Sequence, residues 1–122
     1  MKQILIVDDA ATVRMYHRTI LESAGHAVEE AVNGVEALEK ALAASFDLYV
    51  VDVNMPQMDG YSFLRALRGH DVAQAPAIMV STEGEDGDRR QAFDAGANLY
   101  LVKPARAETL LRYVHLLLGE AA

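Results

Sequence analysis

At 122 residues, 52% of them hydrophobic, the chain has the size and composition of one domain with a packed core. It has no cysteine, which excludes disulfides and thiolate metal sites and fits a reducing, cytoplasmic setting. The formal net charge of −7 argues against unspecific binding to nucleic acid, and no stretch approaches the roughly 20 apolar residues of a membrane span.

In chain order, Ile4-Leu5-Ile6-Val7 is a continuous apolar run, the pattern of a central parallel strand, and it stops at Asp8-Asp9. Val13, Tyr16, His17, Ile20, Leu21 and Ala24 recur at spacings of three and four, a helical stripe that Gly25 ends. His26 to Ala31 is a weaker strand. Asn33-Gly34 is a turn, and Val35, Leu38, Ala41 and Leu42 make the next helical stripe. Leu48 to Val51 is a third apolar run, ended by Asp52, with Pro56 soon after to keep the strand from continuing. Asp59 reads as the N-cap of a helix carrying Tyr61, Phe63, Leu64 and Leu67. A fourth strand, Ala77 to Val80, runs into Ser81-Thr82. A loop rich in glycine and acids leads to a short helix with Ala92 and Phe93. A fifth strand, Leu99 to Val102, ends at Lys103-Pro104, and a last helix carries Leu110, Leu111, Val114, Leu117 and Leu118.

Strand and helix alternate five times with short connections. That pattern predicts an α/β fold with an open, doubly wound, five-stranded parallel sheet and right-handed crossovers. Parallel strands deliver Asp8-Asp9, Asp52, Ser81 and Lys103 to one edge of the sheet, where sites of such folds gather. Crowded carboxylates raise one another's pKa values, and a hard divalent cation relieves the repulsion. Magnesium takes oxygen ligands and binds through one or two carboxylates plus a phosphate, so Asp8, Asp9 and Asp52 suit it, with the backbone carbonyl of Asn54 as a further ligand. Asp52 is then placed as a nucleophile toward a phosphoryl group, forming an acyl phosphate. Lys103 supplies a point charge for the phosphoryl oxygens and the Ser81 hydroxyl a donor.

Together the Asp8-Asp9 pair, the string Asp52-Val53-Asn54-Met55-Pro56-Gln57-Met58-Asp59-Gly60, Ser81 and Lys103-Pro104 resemble the receiver domains of bacterial response regulators, in particular the single-domain chemotaxis regulators of the CheY type. The resemblance covers essentially the whole chain. It implies a flavodoxin-like strand order 2-1-3-4-5 and one receiver domain over residues 1–122 with no output domain. It implies that Asp52 accepts phosphate from a phosphohistidine on a sensor histidine kinase or histidine phosphotransferase. Asp8 and, more directly, Asp9 would hold Mg²⁺ with Asp52 and the Asn54 carbonyl, while Ser81 and Lys103 would touch the phosphoryl group. Lys103-Pro104 would be a cis bond, Tyr100 an aromatic switch on strand five, and Asn54 and Glu83 residues that tune phosphate lifetime. Three positions depart from the family's commoner pattern. Ser81 stands for Thr, Thr82 for Ala, which would narrow access to Asp52, and Ala105 for Phe, which alters the packing of the last loop.

The resulting expectation is a monomeric phosphoacceptor switch whose output is binding to another protein, a flagellar motor switch protein by resemblance. It would catalyse its own phosphoryl transfer and dephosphorylation without being an enzyme in the ordinary sense. A phosphorelay intermediate or phosphate sink is the alternative within the family. A Mg²⁺-dependent aspartyl phosphatase is the alternative outside it, although Asn54 stands where such enzymes need a second acid. The four histidines, His17, His26, His70 and His115, read as surface or core-edge residues, and Arg89-Arg90 as a solvated helix face.

Overall fold

The computed structural model describes residues 2–82, 84 and 86–119. Five strands, β1 (Gln3–Val7), β2 (Ala27–Ala31), β3 (Leu48–Asp52), β4 (Ala77–Ser81) and β5 (Leu99–Val102), alternate with five helices, α1 (Ala11–Ser23), α2 (Gly34–Ala43), α3 (Gly60–Gly69), α4 (Asp86–Ala95) and α5 (Ala107–Leu118). The strands form one parallel sheet in the order β2-β1-β3-β4-β5. The α/β class, the doubly wound sheet and the 2-1-3-4-5 order all match the reading of the sequence.

Why the runs become central strands follows from two-sided burial. Every residue of β3 and β4 is buried, as are Ile4 to Val7 of β1, so these strands need apolar side chains on both faces. One face carries Leu5, Val7, Tyr49, Val51 and Met79 under Ala37 and Ala41 of α2, Phe63, Leu64 and Leu67 of α3, and Ala92 of α4. The other carries Ile4, Ile6, Val50, Ile78 and Val80 under Ile20 and Leu21 of α1 and Leu110 and Val114 of α5. Edge strand β2 buries only Val28 and Ala31, which is why its sequence signal is weak.

Local chemistry sets the helix starts. The Asp59 carboxylate accepts from the Ser62 amide at 2.8 Å, capping α3 as expected. Asn33, read as turn chemistry alone, accepts from the Glu36 amide at 2.8 Å and so caps α2. Gly34 is buried, and its amide donates to the Met58 carbonyl at 3.1 Å, tying α2 to the loop after β3.

Three expectations about burial need correction. Tyr16, placed on the buried stripe of α1, is 45% exposed, because α1 turns its Ile20–Leu21 side toward the sheet. Val35 and Leu42 of the α2 stripe are likewise exposed, while Ala37 and Ala41 turn toward the sheet and are buried. His17 and His26, read as surface or core-edge residues, are buried beneath α1 and at the start of β2. Among the described residues, no helix is long and apolar enough to cross a membrane.

Candidate functional site

The carboxyl ends of β1, β3 and β5 converge on one ammonium. Lys103 Nζ donates to Asp8 Oδ2 at 2.9 Å and to Asp52 Oδ1 at 2.9 Å. Parallel β1 and β3 pair with Val7 opposite Val51, so the residue after each pair, Asp8 and Asp52, emerges side by side. β5 is three places along the sheet from β1 and two from β3, a gap that the long lysine side chain spans.

The chain fixes each acid before any ligand arrives. The Asp8 amide donates to the Ala31 carbonyl at 3.1 Å, and Asp8 Oδ1 accepts from the Ala10 amide at 2.9 Å. Arg14 donates to the Asp8 carbonyl at 2.8 Å and pairs with Glu30 at 2.8 Å, bracing the turn from the side of α1. Behind Asp52, the Gly60 amide bonds the Val53 carbonyl at 2.9 Å, and a Cβ at Gly60 would lie 2.2 Å from the Asp52 carbonyl oxygen. Only glycine lets α3 begin this close to the strand end. The Lys103 amide donates to the Ser81 carbonyl at 2.6 Å, and Lys103-Pro104 is cis, as expected.

Carboxylate oxygens of Asp8, Asp9 and Asp52 all lie within 4.8 Å of one another. Asp8 and Asp52 are buried and Asp9 is exposed, so the cluster has a closed floor and an open side. Two like charges at that separation repel by about 3 kcal/mol at an effective dielectric near 20. Lys103 offsets one negative charge of three. Burial pushes the Asp52 carboxyl above its ordinary pKa; the Lys103 hydrogen bond opposes this, and the Asp8 and Asp9 charges add to it. Burial also works against the Lys103 ammonium, but its hydrogen bonds to Asp52 and Asp8 outweigh that and raise its pKa. The donor set is all oxygen, doubly negative after Lys103, and open on one side, which fits a hard divalent cation of the magnesium kind.

A model of the response regulator receiver domain matches residues 4–115. The chain belongs to that family. The receiver is 42% identical over 114 residues to the chemotaxis protein CheY of Bacillus subtilis, covering 93% of this chain and 94% of that one. It is 39% identical over 120 residues to the transcriptional regulatory protein ResD of the same organism, covering 98% of this chain but 49% of the relative. The receiver thus spans about half the length of that relative. Among solved structures, the receiver domain of a Pseudomonas aeruginosa sensor histidine kinase, with a magnesium ion coordinated in its active-site cleft, superposes with a TM-score of 0.90 at 29% identity, covering 98% of each chain.

Of the remaining residues singled out from the receiver sequence, Ser81, Thr82 and Asn54 fall at this edge. Ser81 is buried at the end of β4, and Thr82 is exposed beside it. Asn54 is exposed in the loop after β3. Tyr100 is 5% exposed, its ring buried on β5. Arg89, read as a solvated helix residue, lies over that ring, 5.1 Å from its centroid. Glu83 lies outside the described residues. Sequence reasoning missed Arg89, Arg14 and the close approach of Gly60. Only Gly60 carried a local signal, in its Asp59-Gly60 pair at a helix start.

Proposed function

We propose that this receiver takes a phosphoryl group onto Asp52 from a phosphohistidine of a sensor histidine kinase or histidine phosphotransferase. The observation that carries the reading is the double contact of Lys103 Nζ with Asp8 and Asp52 inside a cluster of three carboxylates. Asp52 Oδ1 is held by Lys103, which leaves the other carboxylate oxygen to attack phosphorus. A P–O bond forms as the P–N bond breaks, and the donor imidazole leaves with the electron pair. Lys103 stays within reach of both the acyl oxygen and the transferred group, where its charge offsets the negative charge of the phosphoryl oxygens. Ser81 presents a hydroxyl at the neighbouring strand end.

Asp9, Asp8 and Asp52, with the Asn54 carbonyl, would hold Mg²⁺, which supplies charge neutralisation for the incoming phosphate. The magnesium in the related kinase receiver and the donor chemistry of this cluster support that assignment. Ser81 then couples the phosphoryl group to Tyr100 and the α4 side of the sheet, with Glu83 and Asn54 tuning the lifetime of the acyl phosphate and the domain acting as a monomer. Similarity along nearly the full length of CheY supports a role in chemotaxis signalling, with a flagellar motor switch protein as the target.

The reading is tested by mixing the protein with a small acyl phosphate donor and Mg²⁺ and mapping the added mass. One phosphoryl group on the peptide containing Asp52, lost on chelating the metal, is expected. A phosphoryl group mapped elsewhere, or steady turnover of generic phosphate esters, would contradict it.

A further inference from the structure

Beside the carboxylate cluster, between α1 and the loop after β5, lies a cleft of about 340 Å³ lined by Thr12, Val13, Tyr16, His17, Thr82, Lys103, Pro104 and Ala105. Its volume is that of a small-ligand site. Its walls are mainly apolar: Val13, Pro104, Ala105, the lysine stem and the rings of Tyr16 and His17, whose centroids are 5.6 Å apart and tilted by 49°. Two features show that the cleft is built into the fold. The Tyr16 hydroxyl donates to the Ala105 carbonyl at 2.9 Å, pinning α1 to the loop and fixing the width between them. The buried side chain at 105 is a methyl group, so the loop leaves the space unfilled.

His17 supplies the polar element. It is 2% exposed, and its Nδ1 is buried with no hydrogen-bond partner. Burial lowers its pKa, the Lys103 charge adding to the effect and Asp8 opposing it, so the imidazole is neutral at pH 7. A neutral ring carries one N–H and one lone pair. A sealed, unpartnered N–H costs more than a sealed lone pair and is the rarer of the two in folded proteins. The lone pair therefore belongs on Nδ1, which leaves Nε2–H as the donor that the ring can offer to the cleft.

We propose that this cleft is a binding site for a small aromatic molecule bearing a hydrogen-bond acceptor, its ring between Val13, Tyr16 and Pro104–Ala105 and its acceptor on His17. Lys103 lines this cleft and also holds Asp8 and Asp52, and Thr82 lines it next to Ser81 at the end of β4. An occupant therefore narrows the approach to Asp52 and slows phosphoryl transfer, a consequence that rests on the phosphoacceptor reading; binding itself does not.

The test is a titration of the ¹⁵N-labelled chain with benzamide, followed by amide shifts, without any phosphate donor. Saturable shifts confined to residues 12–17, 82 and 103–105 are expected. His17→Leu, which keeps an apolar wall and removes the donor, weakens binding about tenfold. Ala105→Phe, which fills the cleft, abolishes it. No saturable shift at millimolar benzamide, shifts centred elsewhere, or undiminished binding in Ala105→Phe would overturn the site. Saturating benzamide should also cut the rate of Asp52 labelling at least twofold in the wild type and not in Ala105→Phe; an unchanged wild-type rate would overturn the coupling. Absence of labelling without benzamide would instead count against the phosphoacceptor reading.

Discussion

Two half-buried cations stand at opposite edges of the sheet, and their surroundings differ. At the amino edge, Arg68 of α3 donates to the Gly96 carbonyl at 2.9 and 3.1 Å, to the Ala75 carbonyl at 2.7 Å and to the Gln74 and Asn98 side chains at 2.9 and 3.4 Å. All these acceptors are neutral, and burial lowers the arginine pKa. At the carboxyl edge, Lys103 meets two carboxylates with a third nearby, and its pKa rises. The arginine fork is saturated by the chain itself and staples α3 to the turns before β4 and β5. The lysine sits in an excess of negative charge that the chain does not neutralise. One edge is saturated, and the other keeps an excess of negative charge, which suits the cation and phosphoryl group of the proposed function.

The comparison can be broken most sharply at Asp52. Asp52→Asn should abolish phosphoryl uptake while the fold survives. Its stability effect has a sign. The folded-state pKa of Asp52 is raised, so the folded chain holds this proton more tightly than the unfolded chain. The stabilising contribution is present below the ordinary carboxylate pKa and is lost as pH rises through the folded value. Without metal, urea unfolding should find Asp52→Asn more stable than wild type at pH 7, with the gap closing toward pH 4. A constant gap would contradict the electrostatic account.

Removing each cation in turn sharpens the contrast. Lys103→Ala should slow uptake from small donors by about 10²-fold, the loss typical of one charge-stabilising donor. Arg68→Ala should leave the uptake rate of the folded protein within about twofold but cost about 3 kcal/mol in denaturant unfolding, since buried carbonyls lose a charged donor. Equal kinetic losses in the two variants would erase the distinction between the edges.

Much of the carboxyl edge was legible because its signals are local. An apolar run that ends at an acid or a lysine marks both a central strand and the sheet edge, and β1, β3 and β5 each do so. The amino edge was not legible. Arg68 reaches Gly96 across 28 residues of chain, and nothing in the pattern of α3 marks it from Arg65. The same holds for Arg89 over Tyr100 and for His17, where a helix rotation decides burial. Period alone places an apolar stripe but not the angle at which α1 meets the sheet, so Tyr16 was assigned inward while its hydroxyl reaches out to Ala105.

A smaller effect is expected at the rim of the open edge. Thr82 is exposed and lines the cleft next to Lys103. Thr82→Ala should speed uptake from small donors by a few fold, because removing the hydroxyl and methyl widens the approach to Asp52. An unchanged rate in a time course of labelling would place Thr82 outside the path.

The contrast between a saturated edge and an open one is tested most directly by titrating Mg²⁺ into the ¹⁵N-labelled wild type and following amide shifts without a phosphate donor. Weak, saturable shifts should cluster at residues 8–10, 52–54 and 103, with residues 68, 75, 96 and 98 unmoved, and Asp9→Ala should remove them. Shifts spread over both edges, or none at Asp8, Asp9 and Asp52, would contradict the account.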